Sequence, residues 1–283
     1  MSTPGFDATR FKALERAGFN RIAARYADSA PLRQHLADAL LDAASLAPGM
    51  RVLDLASGPA LLAHDAARRV APEGWVIASD IAEGMLMEAR SRIASTTSDT
   101  GRNMSYLAAD AEHLCVAQAS FDRVLAGLAL FIFPHPEKAL AEIRRALKPG
   151  GELVLSVWAG REEVPLISRA QDCIARMLPP SKVVRPSVFR FGDPETLTRT
   201  LREAGFDSIR IESCDFECDF EDAAAYWQAF LDLAGGAAEA LSRLPEATRD
   251  ALRKAVAEDL APHRQQTHGY RVPARALVAC ARA

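Results

Sequence analysis

The residues whose types and spacing could do chemistry lie in Arg51-Val52-Leu53-Asp54-Leu55-Ala56-Ser57-Gly58-Pro59-Ala60 and in Asp80, which closes Trp75-Val76-Ile77-Ala78-Ser79. An apolar run that breaks into a turn of small residues leaves backbone N–H groups bare at a helix start, where a ligand can lie against them. A carboxylate ending the next apolar run can accept hydrogen bonds from both hydroxyls of a ribose. A dinucleotide turn needs G-x-G-x-x-G, which this stretch lacks. Asp54 would instead repel a pyrophosphate and hold a cationic or donor group. A sulfonium nucleoside with an α-amino group meets those demands.

The elements that must position these groups follow from the apolar pattern. Strands are expected at 51–55, 75–79, 105–108, 121–126 and 152–158, with helices near 60–70, 83–93 and 136–147. That alternation is the mark of a parallel sheet covered on both faces, a doubly wound α/β fold. Residues 10–47 read as helices broken at Pro31, and Pro48-Gly49 ends them. Lys148-Pro149-Gly150-Gly151 turns the chain into the fifth strand. Asp193 as N-cap and Pro194 as first helical residue open a later helix, a sixth strand is expected at 208–213, and 270–280 closes the chain as an apolar strand. The expected organisation is a helical arm (1–47), a cofactor-binding core (48–159), a lid insertion (160–190), a core helix and strand (191–219), a helical lid insertion (220–268) and a closing strand (269–283).

Composition narrows the partners. The 283 residues are 49% hydrophobic and 25% charged, which suits one large globular domain with an added subdomain. A net charge of -3 argues against a nucleic-acid partner. The longest apolar stretch, 124–133, is far shorter than the roughly 20 residues that span a bilayer, so no membrane span is expected. Met1-Ser2-Thr3-Pro4-Gly5-Phe6-Asp7 lacks the pattern of a secretory signal, and the cytoplasm is the expected compartment. Five scattered cysteines suit reduced core thiols. Cys214 and Cys218 could offer two thiolates to a metal, but no His or second Cys pair lies near them in sequence, and no metal site is expected.

Five ordered motifs resemble those of class I S-adenosylmethionine-dependent methyltransferases, in the branch typified by ubiquinone and menaquinone biosynthesis. They are Val52-Leu53-Asp54-Leu55-Ala56-Ser57-Gly58, Ser79-Asp80-Ile81-Ala82-Glu83-Gly84-Met85-Leu86, Ala109-Asp110-Ala111-Glu112-His113-Leu114, Phe121-Asp122-Arg123-Val124 and Leu147-Lys148-Pro149-Gly150-Gly151. The resemblance implies a Rossmann-like seven-stranded sheet, mostly parallel with an antiparallel last strand, and S-adenosyl-L-methionine as cofactor. It implies that Asp54, Ala56, Ser57 and Gly58 hold the methionine end, that Asp80 holds the ribose, and that Ile81 and Met85 flank the adenine. Asp110 would accept from the adenine amine and the Ala111 N–H would meet a ring nitrogen, while Gly127 and Leu128 line the floor and Tyr26 reaches the methionine carboxylate. The chain departs from the family's D-x-G-x-G-x-G pattern at Ala56 and Ala60, where added methyl groups are expected to weaken or shift the cofactor.

Methyl transfer is an in-line displacement, and a dedicated base is optional. His135, in Phe133-Pro134-His135-Pro136 after the fourth strand, is the candidate catalytic residue, ahead of His113, His268 and Glu162. Phe189, Phe191, Phe216, Phe220, Tyr226, Trp227, Phe230 and Leu231 could form an apolar lid over a lipophilic small-molecule acceptor such as a quinol or aromatic polyketide, methylated at oxygen or carbon. Two readings compete: a methyltransferase-fold protein without transfer, acting as a binding module or cyclase, and a nicotinamide-dependent oxidoreductase. The exposed arm helices leave a homodimer open.

Overall fold

The computed structural model describes residues 6–94, 103–180, 183–266 and 268–283. Residues 1–5 at the chain start, and residues 181 and 182 of the first insertion, therefore lie outside the described residues. Within them, strands β1 (Arg51–Leu55), β2 (Trp75–Asp80), β3 (Met104–Ala108), β4 (Phe121–Gly127), β5 (Leu147–Trp158), β6 (Asp207–Phe220) and β7 (Tyr270–Arg282) form one sheet in the order β3-β2-β1-β4-β5-β7-β6. The first five pair in parallel, and β7 lies antiparallel between β5 and β6. This is the expected Rossmann-like sheet with an antiparallel last strand.

The sheet centre is buried on both faces, so its strands carry unbroken apolar runs: Val52, Leu53, Val124, Leu153 and Val154 have no exposed surface. The crossovers are helical, through α3 (Leu61–Val70), α4 (Glu83–Ala94) and α5 (Pro136–Ala146). Two strands differ from expectation by more than two residues. β6 continues to Phe220, because Phe216, Cys218 and Phe220 turn inward while Asp215, Glu217 and Asp219 face out. β5 begins at Leu147, and the expected turn lies inside it as a kink, with Gly150 at φ 76 and a register shift opposite Phe121 and Arg123.

The arm comprises α1 (Ala8–Asp28), a short 3-10 turn at Ala30–Arg33 where Pro31 breaks the helix, and α2 (Gln34–Ala43). The insertions supply α6 (Pro165–Met177), α8 (Ala223–Leu233), α9 (Gly236–Ser242) and α10 (Glu246–Asp259), and α7 (Pro194–Glu203) begins at the expected Asp193 cap. The buried stripe of α1 includes a carboxylate, Glu15, among Phe11, Gly18, Ile22 and Ala23. Polar ties fasten α1 to its surroundings: Lys12 to Asp110 and Glu112 at 2.7 Å each, Arg16 to Glu83, Arg21 to Glu239, Arg25 to Asp232 at 3.0 Å, and Asp28 to Arg92 at 2.7 Å. The Cys214 and Cys218 thiols lie against the His35 and Leu32 carbonyls of the arm.

Candidate active site

At the carboxyl ends of β1, β2 and β4 the chain leaves the sheet in three turns. Parallel register sets Leu55 beside Ser79 and Asp80 beside Ala108, so Asp54 near the end of β1, Asp80 at the end of β2 and Asp110 just after β3 share one crevice. The crevice has two chambers, of about 110 Å³ and 120 Å³. Tyr26, Ala56, Gly58, Asp80, Ile81, Met85, Asp110, Ala111, Gly127 and Leu128 line the first, and Asp54 and Ser57 join Tyr26, Ala56, Gly58, Gly127 and Leu128 in the second. The structure thus brings together every residue that the resemblance implicated in cofactor binding.

Asp54 is 1% exposed, and one of its carboxylate oxygens has no hydrogen-bond partner. Burial, with the charge of Asp80 adding to it, outweighs the Ala63 N–H and pushes the Asp54 pKa up to about 8. The buried Ser57 hydroxyl also lacks a partner. Two orphaned acceptors in one chamber call for a donor-bearing, cationic occupant. Asp80 is anchored differently: its two oxygens accept from the N–H groups of Gly58 and Ala82, at 2.8 Å each, which ties the first turn to the second. Burial holds the Asp80 pKa above its ordinary value in spite of these donors.

Asp110 accepts from Lys12 at 2.7 Å and from the Glu112 N–H at 3.0 Å. Burial works to lower the Lys12 pKa, but Asp110 and Glu112 outweigh it and hold the ammonium above its ordinary value. Tyr26 lies edge-on to the first turn, its Cε1 3.5 Å from where a Gly58 Cβ would stand. The Arg33 guanidinium covers the Tyr26 ring at 4.3 Å and lines the second chamber, and no carboxylate pairs with it among the described residues. Arg33 went unnoticed in the sequence because it belongs to no motif.

The turn's alanines have a conformational cost as well as a steric one. Ala56 and Ala60 sit at φ 53 and 56, in the left-handed region where glycine is strain-free. Helix α3 accordingly starts at Leu61, after a left-handed Ala60, one residue later than expected. Ala56→Gly is expected to stabilise the protein by about 1 kcal/mol, the left-handed strain relieved less the entropy glycine adds to the unfolded chain. A denaturant melt showing no gain would contradict that assignment of strain. Leu128, at φ 51, is a third strained residue, and its N–H is held by the Ser156 carbonyl and hydroxyl at 3.0 Å each.

A third cavity, of about 350 Å³, adjoins the crevice and shares Phe11, Glu15, Phe19, Tyr26, Leu128 and Ile132 with its first chamber. Phe131, Trp158, Ile167, Val188, Phe230 and Leu233 extend its apolar wall, and Arg33, Gln171 and Arg185 add polar groups. Of the eight residues expected to form a lid, only Phe230 reaches this wall. Phe191, Phe216, Phe220, Tyr226 and Trp227 are buried in the core, and Phe189 and Leu231 pack against it. His135 is not brought to any of the three cavities. It stands before α5, its backbone N–H on Glu112 at 2.9 Å and its imidazole 3.5 Å from Glu137.

With that geometry in view, the sequence comparison is decisive: the profile of the ubiE/COQ5 methyltransferase family matches residues 18–218. The chain belongs to that family. As a member it is an S-adenosylmethionine-dependent methyltransferase. Among its relatives are the "Ubiquinone/menaquinone biosynthesis C-methyltransferase UbiE" of Bordetella parapertussis, 34% identical over 178 residues that cover 59% of this chain and 67% of the relative. The demethylmenaquinone methyltransferase of Clavibacter sepedonicus is 34% identical over 173 residues, 57% of this chain and 67% of that one. Solved structures share the fold. The YcgJ protein of Bacillus subtilis superposes with a TM-score of 0.60 at 17% identity, over 88% of this chain and 98% of that one. The [4+2]-cyclase SpnF superposes with a TM-score of 0.55 at 20% identity, over 87% and 79%. Family membership sets aside the nicotinamide-dependent reading, and none of the described helices of this methyltransferase is long and apolar enough to cross a membrane.

Proposed function

We propose that this enzyme methylates a ring carbon of a reduced, quinol-type aromatic acceptor seated in the 350 Å³ cavity. The observation that carries the reading is the shared wall: an apolar cavity large enough for a bicyclic ring adjoins the cofactor crevice, and Leu128 and Ile132 line both. The names of the quinone-biosynthesis relatives support the same acceptor class.

In this reading Asp80 holds the ribose, and Asp54 with Ser57 holds the α-amino group. Arg33, lying on Tyr26, pairs with the methionine carboxylate. Ile81 and Met85 flank the adenine, Asp110 accepts from its amine while keeping Lys12, and the Ala111 N–H meets a ring nitrogen. When bound, S-adenosylmethionine supplies an electrophilic methyl group on a sulfonium. The protein aligns the acceptor, keeps water out with the wall of α1 and α8, and takes up the proton that the product no longer carries.

Calorimetric titration with S-adenosylmethionine and S-adenosylhomocysteine, followed by turnover of demethylated quinols under reducing conditions, tests the proposal. Saturable binding and a ring-methylated product identified by mass and NMR are expected. Cofactor binding without transfer to any quinol or phenol would overturn it.

A further inference from the structure

Replacing a ring C–H by C–CH3 releases one proton, and something beside the acceptor must receive it. Three side chains decide where. No histidine lines any of the three cavities, and Asp80 and Asp110 face the crevice without reaching the acceptor cavity. Glu15 is the one carboxylate that lines both the crevice and the acceptor cavity among the described residues. It is 7% exposed and pairs with Arg185, which lines the acceptor cavity alone. The fold makes room for it: Gly235, at φ 47, sits where a Cβ would come within 3.0 Å of Glu15 Oε2 and 2.8 Å of the Phe19 ring.

Resting on the quinol reading above, we infer that Glu15 is the catalytic base and that Arg185 selects acceptors whose reactive carbon lies beside an ionisable hydroxyl. The Arg185 guanidinium lies against this carboxylate and gives it a cationic partner inside the apolar wall. When Glu15 takes the O–H proton, the negative charge passes to the acceptor oxygen, and Arg185 exchanges one anionic partner for another. Charge inside the cavity is conserved, so a modest base suffices. The oxygen's electrons then pass through the ring, the C–CH3 bond forms and the S–CH3 bond breaks. Glu15 then returns its proton to that oxygen and takes the ring C–H proton, which restores the aromatic hydroxyl, leaves one proton on Glu15 in total and leaves the sulfonium as a neutral thioether. Acceptors in which that hydroxyl is methylated are therefore excluded.

Glu15→Gln tests this. Its kcat on a demethylated quinol is expected to fall by about 100-fold or more, with the acidic limb of the pH profile lost and cofactor affinity changed far less. Arg185→Gln should act more on KM. A second readout needs no turnover: 1-naphthol, whose excited state gives its proton to an adjacent base, should emit as naphtholate in the native protein with S-adenosylhomocysteine and as neutral naphthol in E15Q. Native-like kcat in E15Q, or identical emission from both proteins, would overturn the inference while leaving the functional reading intact. A native protein that binds neither naphthol nor quinols takes both readings down. Should E15Q not fold, the double variant E15Q/R185Q, which removes both members of this ion pair, gives the same two readouts.

Discussion

Asparagine at position 54 is expected to weaken S-adenosylmethionine binding by about 100-fold, because a buried charged hydrogen bond is lost, and at the same time to raise the melting temperature of the ligand-free protein. The two effects share one cause. In the folded protein Asp54 titrates near 8, whereas an ordinary carboxyl titrates at 3.8. Between those values the native state keeps a proton that the unfolded chain has shed, so stability falls as pH rises through that window and is flat on either side. The gain from asparagine should therefore be several degrees at neutral pH and vanish below the ordinary carboxyl value. A cationic α-amino group restores the charge, so the native protein should release about one proton per cofactor bound near pH 6.5. Calorimetry in buffers of different ionisation enthalpy reads this directly. An absence of proton release would show that Asp54 does not meet the amino group.

Alanine at position 80 should cost more affinity, about 1,000-fold, since two charged hydrogen bonds to the ribose go at once. Its effect on stability has the opposite sign to that at Asp54. The Asp80 carboxylate is what the Gly58 and Ala82 N–H groups bond to, and its removal leaves both donors without it and frees the first turn from the second. A fall of several degrees in melting temperature is expected. Asp80 also raises the Asp54 pKa, so proton release on binding should shrink in this variant. If the melting temperature holds while affinity is lost, the hydrogen bonds to Gly58 and Ala82 are not what shapes the turn.

Much of this architecture was readable before any coordinates, and the gaps have physical reasons. The parallel strands declared themselves because burial on both faces demands short apolar runs such as Val52-Leu53, Val124-Leu125-Ala126 and Leu153-Val154-Leu155. The cofactor crevice was legible because strand ends, a turn and two acids are local features. The second half of β6 was present as strict alternation of Phe216, Cys218 and Phe220 with Asp215, Glu217 and Asp219, a period-two signal that the reading ended short of. The aromatic residues of the insertions could not be sorted into cavity wall and core, since both environments select the same side chains; Tyr226, with no exposed surface, and Phe230 look alike in sequence. Proximity along the chain also misled for His135, which the start of α5 sets apart from the cavities. Glu15 and Arg185 carried no signal, because a pair separated by 170 residues is joined only by folding.

Helix α1 lies across both halves of the reaction: Phe11, Glu15, Phe19 and Tyr26 line the first chamber of the crevice and the acceptor cavity alike. Any loosening of that helix is therefore expected to bare both sites to bulk water at once. Its fastenings are largely surface ion pairs, which salt screens. Raising ionic strength is thus expected to loosen the seat of α1 and to let solvent into both sites together, without touching any group that meets the reacting atoms.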